Sequence, residues 1–167
     1  MSMVGLFWIT AASAHIGAPP NETGPGVLLT EEGLTGLGED QRGTWAWRDI
    51  RRATVVGAPV RSSPGRVAGI LLETVTTVAF GGFDDGPAMF VRLDTPDGEV
   101  EWTVYAPAAS YGTAEFRLSQ DLLDAYAEGR VTPAALLAWG REWQGGTPGR
   151  AKREELLAEW GGAPRTA

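Results

Sequence analysis

Residues 89–104 constrain the fold more tightly than any other part of the chain. Two segments in this range carry apolar residues at every second position, which is the period of a strand with one buried face. A four-residue loop ending at Gly98 sets Leu93 opposite Val100, and glycine can adopt the positive φ that this loop requires. A loop shorter by one residue would set Leu93 opposite Glu101. The hydrophobic pattern therefore predicts one hairpin in one register.

The segment at residues 44–57 predicts that the sheet bends. Trp45 and Trp47 are two residues apart, as on one face of a strand, and β-branched residues follow further on. The polar step Arg48-Asp49 interrupts this pattern, which indicates a bulge or a corner between two extended segments. Because the 167 residues include 23 Gly and 11 Pro, many turns and therefore many short antiparallel strands are expected.

Other segments add strands and one ambiguous element. Residues 4–17 predict two strands joined by a short turn, and residues 27–30 and 34–37 predict a further hairpin. Residues 62–80 place apolar side chains at the 3.6-residue period, between a Ser-Ser-Pro start and a Gly-Gly stop, which predicts a helix. A strand is the alternative for this segment, because residues 74–78 are rich in β-branched side chains.

The last third of the sequence predicts helices. Ser119 is the expected N-cap of the first helix, and a Thr-Pro pair precedes each of the other two. The three predicted helices span residues 120–128, 133–143 and 148–160.

These elements together predict an α+β protein. A bent antiparallel sheet or partial barrel carries a helix at about residues 62–80 and further helices at the C-terminus. A single domain, residues 1–167, is expected from the chain length. Within it, residues 1–130 supply the sheet and its helix, and residues 131–167 form a helical extension.

Composition and charge exclude several classes of function. The chain contains no Cys, which excludes disulfides, thiolate catalysis and Cys-ligated metal sites. The net charge is −7, so nucleic acids and anionic membrane surfaces are repelled at long range and neither is expected as a partner. No apolar run approaches the ~20 residues of a membrane span. A cytoplasmic location is expected, and the use of thirteen Arg against one Lys is typical of high-GC bacterial genomes.

The titratable residues form no recognisable catalytic, metal or cofactor site. His15 is the single histidine and ends a predicted strand, where a structural role is expected. Asp84 and Asp85 lack the alternating ligand spacing of a calcium loop. Glu101 faces Arg92 across the predicted hairpin, which favours a cross-strand ion pair over acid catalysis on an exposed face. We therefore predict no catalytic residues, no metal ligands and no cofactor.

Two groups of residues are candidates for binding a partner. Arg48, Arg51 and Arg52 form a basic cluster beside the sheet that could grip an acidic peptide, and an ordinary exposed face is the alternative. Trp139 and Trp143 lie near glycine-rich joints of the helical tail, and Trp160 follows near the end of that tail. They predict a docking surface or a homo-oligomer contact, and packing into the core is the alternative.

Two motifs resemble a known family. Residues 28–34, LLTEEGL, and residues 45–50, WAWRDI, resemble the strand, turn and tryptophan-bearing step of bacterial PH-like domains. The resemblance covers roughly residues 4–105 plus the predicted helix after Ser119. It implies a binding scaffold rather than an enzyme. The expected function is a non-enzymatic interaction module that binds a protein partner.

The alternative function is a small-molecule-binding protein or an enzyme. Its pocket would lie between the predicted helix at residues 62–80 and the sheet, and would be lined by Trp8, Trp45 and Trp102.

Overall fold

The structure is a computed structural model that describes residues 1–21, 23–61 and 86–162. The predicted helix at residues 62–80 lies outside the described residues, as do Asp84 and Asp85. The described part of the chain forms two antiparallel sheets, one short 3-10 helix and three α-helices. The predicted α+β class, with a bent sheet and C-terminal helices, is confirmed.

The first sheet is a meander of six short strands in sequence order. They are β1 (Ser2–Val4), β2 (Phe7–Ile9), β3 (Ala14–Ile16), β4 (Gly26–Leu29), β5 (Gly33–Leu37) and β6 (Gly43–Ala46). The sequence predicted one strand before the turn at residues 12 and 13, but the structure has two, because the chain reverses at Gly5. Gly5 has a φ of +59°, which a glycine adopts without steric cost.

The predicted corner joins the two sheets. It is a single 3-10 turn, Trp47–Asp49, rather than a bulge. The Trp47 indole N–H donates to the carbonyl of Thr30 at 3.0 Å, and its ring lies 5.2 Å from that of Tyr126. The corner is therefore held on one side by the first sheet and on the other by a helix.

The second sheet has three strands. These are β7 (Arg52–Val56), β8 (Ala88–Thr95) and β9 (Gly98–Tyr105), and β8 lies between the other two. The predicted hairpin register is confirmed, since Leu93 pairs with Val100 and Arg92 pairs with Glu101. Strand pairing continues to Thr95 and Gly98, so the turn is tighter than predicted while the register is the same.

A glutamine side chain ties the two sheets together. Gln41 donates its amide to the carbonyls of Gly26 at 3.1 Å and Thr103 at 2.8 Å, and its carbonyl accepts the Thr103 N–H at 2.8 Å. This side chain completes backbone hydrogen bonds of β4 and β9 where the two strands do not pair directly, so buried polar groups on both strands have partners.

Three helices follow the second sheet. They are α1 (Thr113–Ala127), α2 (Ala134–Glu142) and α3 (Arg150–Trp160). The prediction that Ser119 caps the first helix is wrong, because α1 begins at Thr113 and Ser119 lies buried inside it. The Ser119 hydroxyl donates to the carbonyl of Glu115 at 2.8 Å and accepts the Leu6 N–H at 3.2 Å.

Helix α1 is hydrogen-bonded to both sheets. Its contact with Leu6 reaches the first sheet, and Gln120 reaches the outer strand of the second. The Gln120 amide donates to the carbonyl of Ala53 at 2.7 Å, and its carbonyl accepts the Val55 N–H at 3.0 Å. The helix therefore covers part of the edge of β7, which would otherwise offer unpaired backbone groups to another chain.

His15 lies in the middle of the first sheet, between Trp8 of β2 and Leu28 of β4. Its side chain is 9% exposed, and its Nδ1 atom has no hydrogen-bond partner in the described residues. Burial lowers the pKa of His15 below its ordinary value of 6.5. Burial therefore favours the neutral form of the imidazole.

This burial predicts a loss of stability in mild acid. Below about pH 6.5 the histidine of the unfolded chain gains a proton that the folded chain resists, so the free energy of unfolding falls as pH falls. The variant His15→Gln lacks this titration. We measure the free energy of unfolding of both proteins by urea denaturation from pH 7.5 down to pH 5. Over this range the wild type should lose more unfolding free energy than the variant does. Parallel curves for the two proteins over this range would contradict the prediction.

Candidate binding surfaces

The three arginines predicted to bind a partner lie at the corner between the sheets. Arg48, Arg51 and Arg52 are all exposed. Their side chains make no hydrogen bond or ion pair with residues that the structure describes. Arg52 lines a shallow depression of about 230 Å³ beside Asp94 and Glu99, so its charge already faces acidic groups. A role of the three arginines in binding stays a prediction.

The tryptophans of the tail come together between α2 and α3. The rings of Trp139 and Trp143 are stacked with centroids 5.3 Å apart, and the ring of Trp160 meets Trp139 edge-on at 5.7 Å. Trp160 is 5% exposed and belongs to the core, whereas Trp143 is 39% exposed and Trp139 is half-buried. Trp160 therefore packs into the core, and a role of Trp139 and Trp143 in binding stays a prediction.

These rings form the apolar wall of a groove of about 520 Å³, called here the tryptophan groove. It is lined by Ala135, Ala138, Trp139, Glu142, Trp143, Lys152, Glu155, Leu156, Glu159 and Trp160. Three of these residues are glutamates and one is a lysine, whose amino group lies 3.2 Å from the Glu155 carboxylate. The groove thus combines aromatic surface with several carboxylates.

Local contacts fix the exposed ring in place. The Trp143 indole N–H donates to the carbonyl of Gly146 at 2.9 Å. The loop after Trp143 is held by β1, because the Ser2 hydroxyl donates to Gly146 at 3.3 Å and the Met3 N–H donates to the Thr147 hydroxyl at 3.0 Å. On the other side, α2 packs closely on β2, since a Cβ at Gly140 would lie 2.5 Å from Ile9. Both sides of the tryptophan groove are therefore tied to the first sheet.

A second concave surface lies where α1 and α3 begin. This arginine cleft, of about 610 Å³, is lined by Arg61, Ser110, Gly112, Thr113, Ala114, Glu115, Arg117, Arg150 and Arg153. Its guanidinium groups come from three separate parts of the chain, namely the segment after β7, helix α1 and helix α3. Four positive charges thus meet on one surface of a chain whose net charge is −7.

Hydrogen bonds hold the first wall of the cleft. The Arg61 N–H donates to the Tyr111 carbonyl at 2.8 Å, and the Tyr111 N–H donates to the Pro59 carbonyl at 2.7 Å. The Thr113 hydroxyl donates to the Arg61 carbonyl at 2.7 Å, and the Arg61 guanidinium donates to the Ser110 hydroxyl at 2.7 Å. Arg61 is therefore positioned by neutral groups, and its charge is not balanced by a carboxylate within the described ranges.

Glu115 forms the floor of the cleft. Its side chain is buried, and one oxygen accepts the Gly5 N–H at 2.9 Å. Both oxygens accept hydrogen bonds from Arg153, at 2.6 and 3.0 Å, and this guanidinium also donates to the carbonyl of Pro148 at 2.8 Å. Hydrogen bonding to Glu115 raises the pKa of Arg153. Arg153 is thus neutralised and joins α1, α3 and the β1–β2 turn.

The other two guanidiniums leave an excess of positive charge. Arg150 forms an exposed ion pair with Glu154 at 2.9 Å. The Arg117 side chain makes no hydrogen bond or ion pair within the described ranges. Four guanidiniums against the two carboxylates of Glu115 and Glu154 leave two unbalanced positive charges.

No sequence motif predicts the arginine cleft. Its four arginines are scattered between residues 61 and 153 and form no local motif. The one usable signal is the pair of glycines, Gly112 and Gly149, that precede α1 and α3 without offering a capping side chain.

No group of three His, Asp or Glu side chains that could hold a metal ion is found where the chain is described. Among the described helices, none has the length and apolar character that crossing a membrane requires. Comparison of the chain with protein-family models, curated proteins and solved structures finds no match.

Proposed function

We propose that the protein is a non-enzymatic interaction module that binds a segment of a protein partner in the tryptophan groove. The observation that carries this proposal is the position of Trp143, a large aromatic side chain that is 39% exposed while its indole N–H bonds Gly146 and its ring stacks on Trp139. Exposed, well-fixed tryptophans are typical of the residues that dominate binding energy at interfaces. The resemblance to PH-like domains supports a scaffold that binds rather than catalyses.

The charges of the groove favour a basic partner segment. Glu142 and Glu155 both line the groove, and its lysine, Lys152, is paired with Glu155. A partner side chain such as Arg could lay its apolar stem against an indole ring while its charged group meets a carboxylate. The partner is therefore a basic segment that also carries apolar residues, and an acidic segment would be repelled.

The small-molecule alternative has less support from the residues named for it. Trp102 is buried, and its ring lies close to Gly36, where a Cβ would be 2.7 Å from an indole carbon. It therefore fills the space between strands. The second predicted wall of that pocket, residues 62–80, lies outside the described residues, so this alternative stays a prediction.

Selection from a random peptide library on the purified protein tests the proposal. We expect the enriched peptides to combine Arg or Lys with apolar residues. Trp143→Ala should weaken their binding at least about tenfold, as loss of a central aromatic contact does. The matched control is Trp8→Ala, which removes the same side chain from the six-stranded sheet outside the groove and should leave the affinity unchanged.

Three results would contradict the proposal. The first is enrichment of acidic peptides, and the second is equal affinity of the wild type and Trp143→Ala. The third is dimerisation that Trp143→Ala abolishes, which would place a second copy of the chain in the groove. Trp143→Ala is expected to lose only about 1 kcal/mol of stability, because one ring stack and one hydrogen bond are removed from an exposed site. Urea denaturation of both variants checks that a loss of binding is not a loss of folding.

A further inference from the structure

We propose that the arginine cleft binds a small molecule that carries phosphate groups, at a site separate from the tryptophan groove. The charge, the hydrogen-bond donors and the size of the cleft support this proposal, which does not depend on the proposed protein partner.

The cleft carries an excess of positive charge. An acidic chain gains nothing in solubility by gathering guanidiniums at one place, and like charges at close range repel one another. Arg61 and Arg117 have no carboxylate partner in the described part of the chain. Arg150 is paired with Glu154 in an exposed ion pair. A bound anion with two or more negative charges would balance the excess.

The cleft also contains backbone hydrogen-bond donors at the start of α1. Gly112, the N-cap of α1, offers no side chain to the first turn. The backbone N–H groups of Thr113 and Ala114 have no acceptor among the described residues, and both residues line the cleft. Free N–H groups at a helix N-terminus favour anions, and here guanidiniums from other elements surround them.

Close approach of the two helices reinforces this arrangement. A Cβ placed on Gly112 would lie 3.7 Å from the guanidinium of Arg150, so the start of α1 lies next to the first residue of α3. The donors therefore converge on one space from several directions.

The number of donors and the size of the cleft select the class of anion. A single carboxylate offers two oxygens in one plane, whereas a phosphate offers oxygens in several directions and matches forked guanidinium donors. A volume of about 610 Å³ is larger than one phosphate needs and lies within the range of small-molecule sites. A diphosphate group attached to a small molecule fits these requirements.

Isothermal titration calorimetry with inorganic pyrophosphate at constant ionic strength tests the proposal. We expect saturable binding, and weaker binding of inorganic phosphate and of citrate at the same pH. Arg117→Gln should weaken pyrophosphate binding about tenfold, since it removes a charged donor that the fold does not use. The matched control Arg48→Gln changes the net charge equally at an exposed site outside the cleft and should change the affinity less than about twofold.

The location of binding is checked independently by nuclear magnetic resonance. Pyrophosphate should shift the amide signals of Thr113 and Ala114 more than those of the corner residues. The proposal is overturned by absence of binding at millimolar pyrophosphate, by equal weakening in Arg117→Gln and Arg48→Gln, or by tighter binding of citrate than of pyrophosphate. Urea denaturation of both variants ensures that each is compared in its folded state.

Discussion

Replacement of Glu115 by glutamine is expected to lower the free energy of unfolding by about 3 kcal/mol. The carboxylate is buried and accepts hydrogen bonds from Gly5 and from both sides of the Arg153 fork. Glutamine keeps the shape but replaces one acceptor oxygen by a donor that faces a guanidinium. A partly buried positive charge then loses its counter-charge, and one hydrogen bond is replaced by a repulsive contact between donors.

Urea denaturation at neutral pH measures this loss. The matched control is Glu154→Gln, which removes the partner of Arg150 in an exposed ion pair and should cost less than about 0.5 kcal/mol. Equal costs for the two variants would show that Glu115 does not anchor the helices. A double-mutant cycle with Arg153→Gln should give a coupling energy of at least about 1 kcal/mol, because the two side chains act as one unit.

Replacement of Gly5 by alanine is expected to cost about 3 kcal/mol. Two effects add at this position. A left-handed φ of +59° strains any residue that has a Cβ. The added Cβ would also lie 2.0 Å from the buried Ser119 hydroxyl oxygen and 3.0 Å from a methyl carbon of Leu157, so α1 or the β1–β2 turn must move.

Gly129→Ala separates these two effects. Gly129 follows α1 with a φ of +72°, and nothing lies within 4 Å of its added Cβ. Its replacement should cost only the backbone strain, about 1 kcal/mol. Thermal and urea unfolding of both variants should therefore show a clear gap between them. Equal losses would mean that the β1–β2 turn adapts to the extra atom without disturbing α1.

The sequence predicted the fold best where a periodic pattern was long. The hairpin at residues 89–104 has enough alternating positions to select one register, and the structure has that register. The polar step after Trp47 correctly marked a corner, although its 3-10 geometry depends on contacts with Thr30 and Tyr126 that are distant in sequence. Short-range patterns cannot contain such contacts.

Two errors share one physical cause. Strands β1 and β2 have three residues each, too few for a period to be recognised, and their turn is fixed by Glu115 and Ser119 of a distant helix. Ser119 has the chemistry of a helix cap, but it is buried within α1 and uses its hydroxyl to bind Leu6. In both cases tertiary hydrogen bonds decide the local structure.

The candidate sites were predictable to different degrees. Trp139 and Trp143 stood out because tryptophan is rare and large, and the structure places them together beside an open groove. The arginine cleft was not predictable, because its charges meet only when α1 and α3 begin side by side. Arginine is also the common basic residue of this chain, so four scattered examples carry no signal.

The hydrogen bonds of the first five residues set the order in which the protein can be completed during synthesis. Gly5 binds Glu115, which lies 110 residues later, and Ser2 binds the loop at residues 145 and 146. At the ribosome's rate of about 5–20 residues per second, the first strand waits about 5–20 seconds for its helix. Leu6, fully buried in the finished protein, lacks its hydrogen bond to Ser119 during that interval. Residues 2–6 therefore wait longer for their tertiary contacts than segments with local partners do, and chaperones on the nascent chain have more time to bind them.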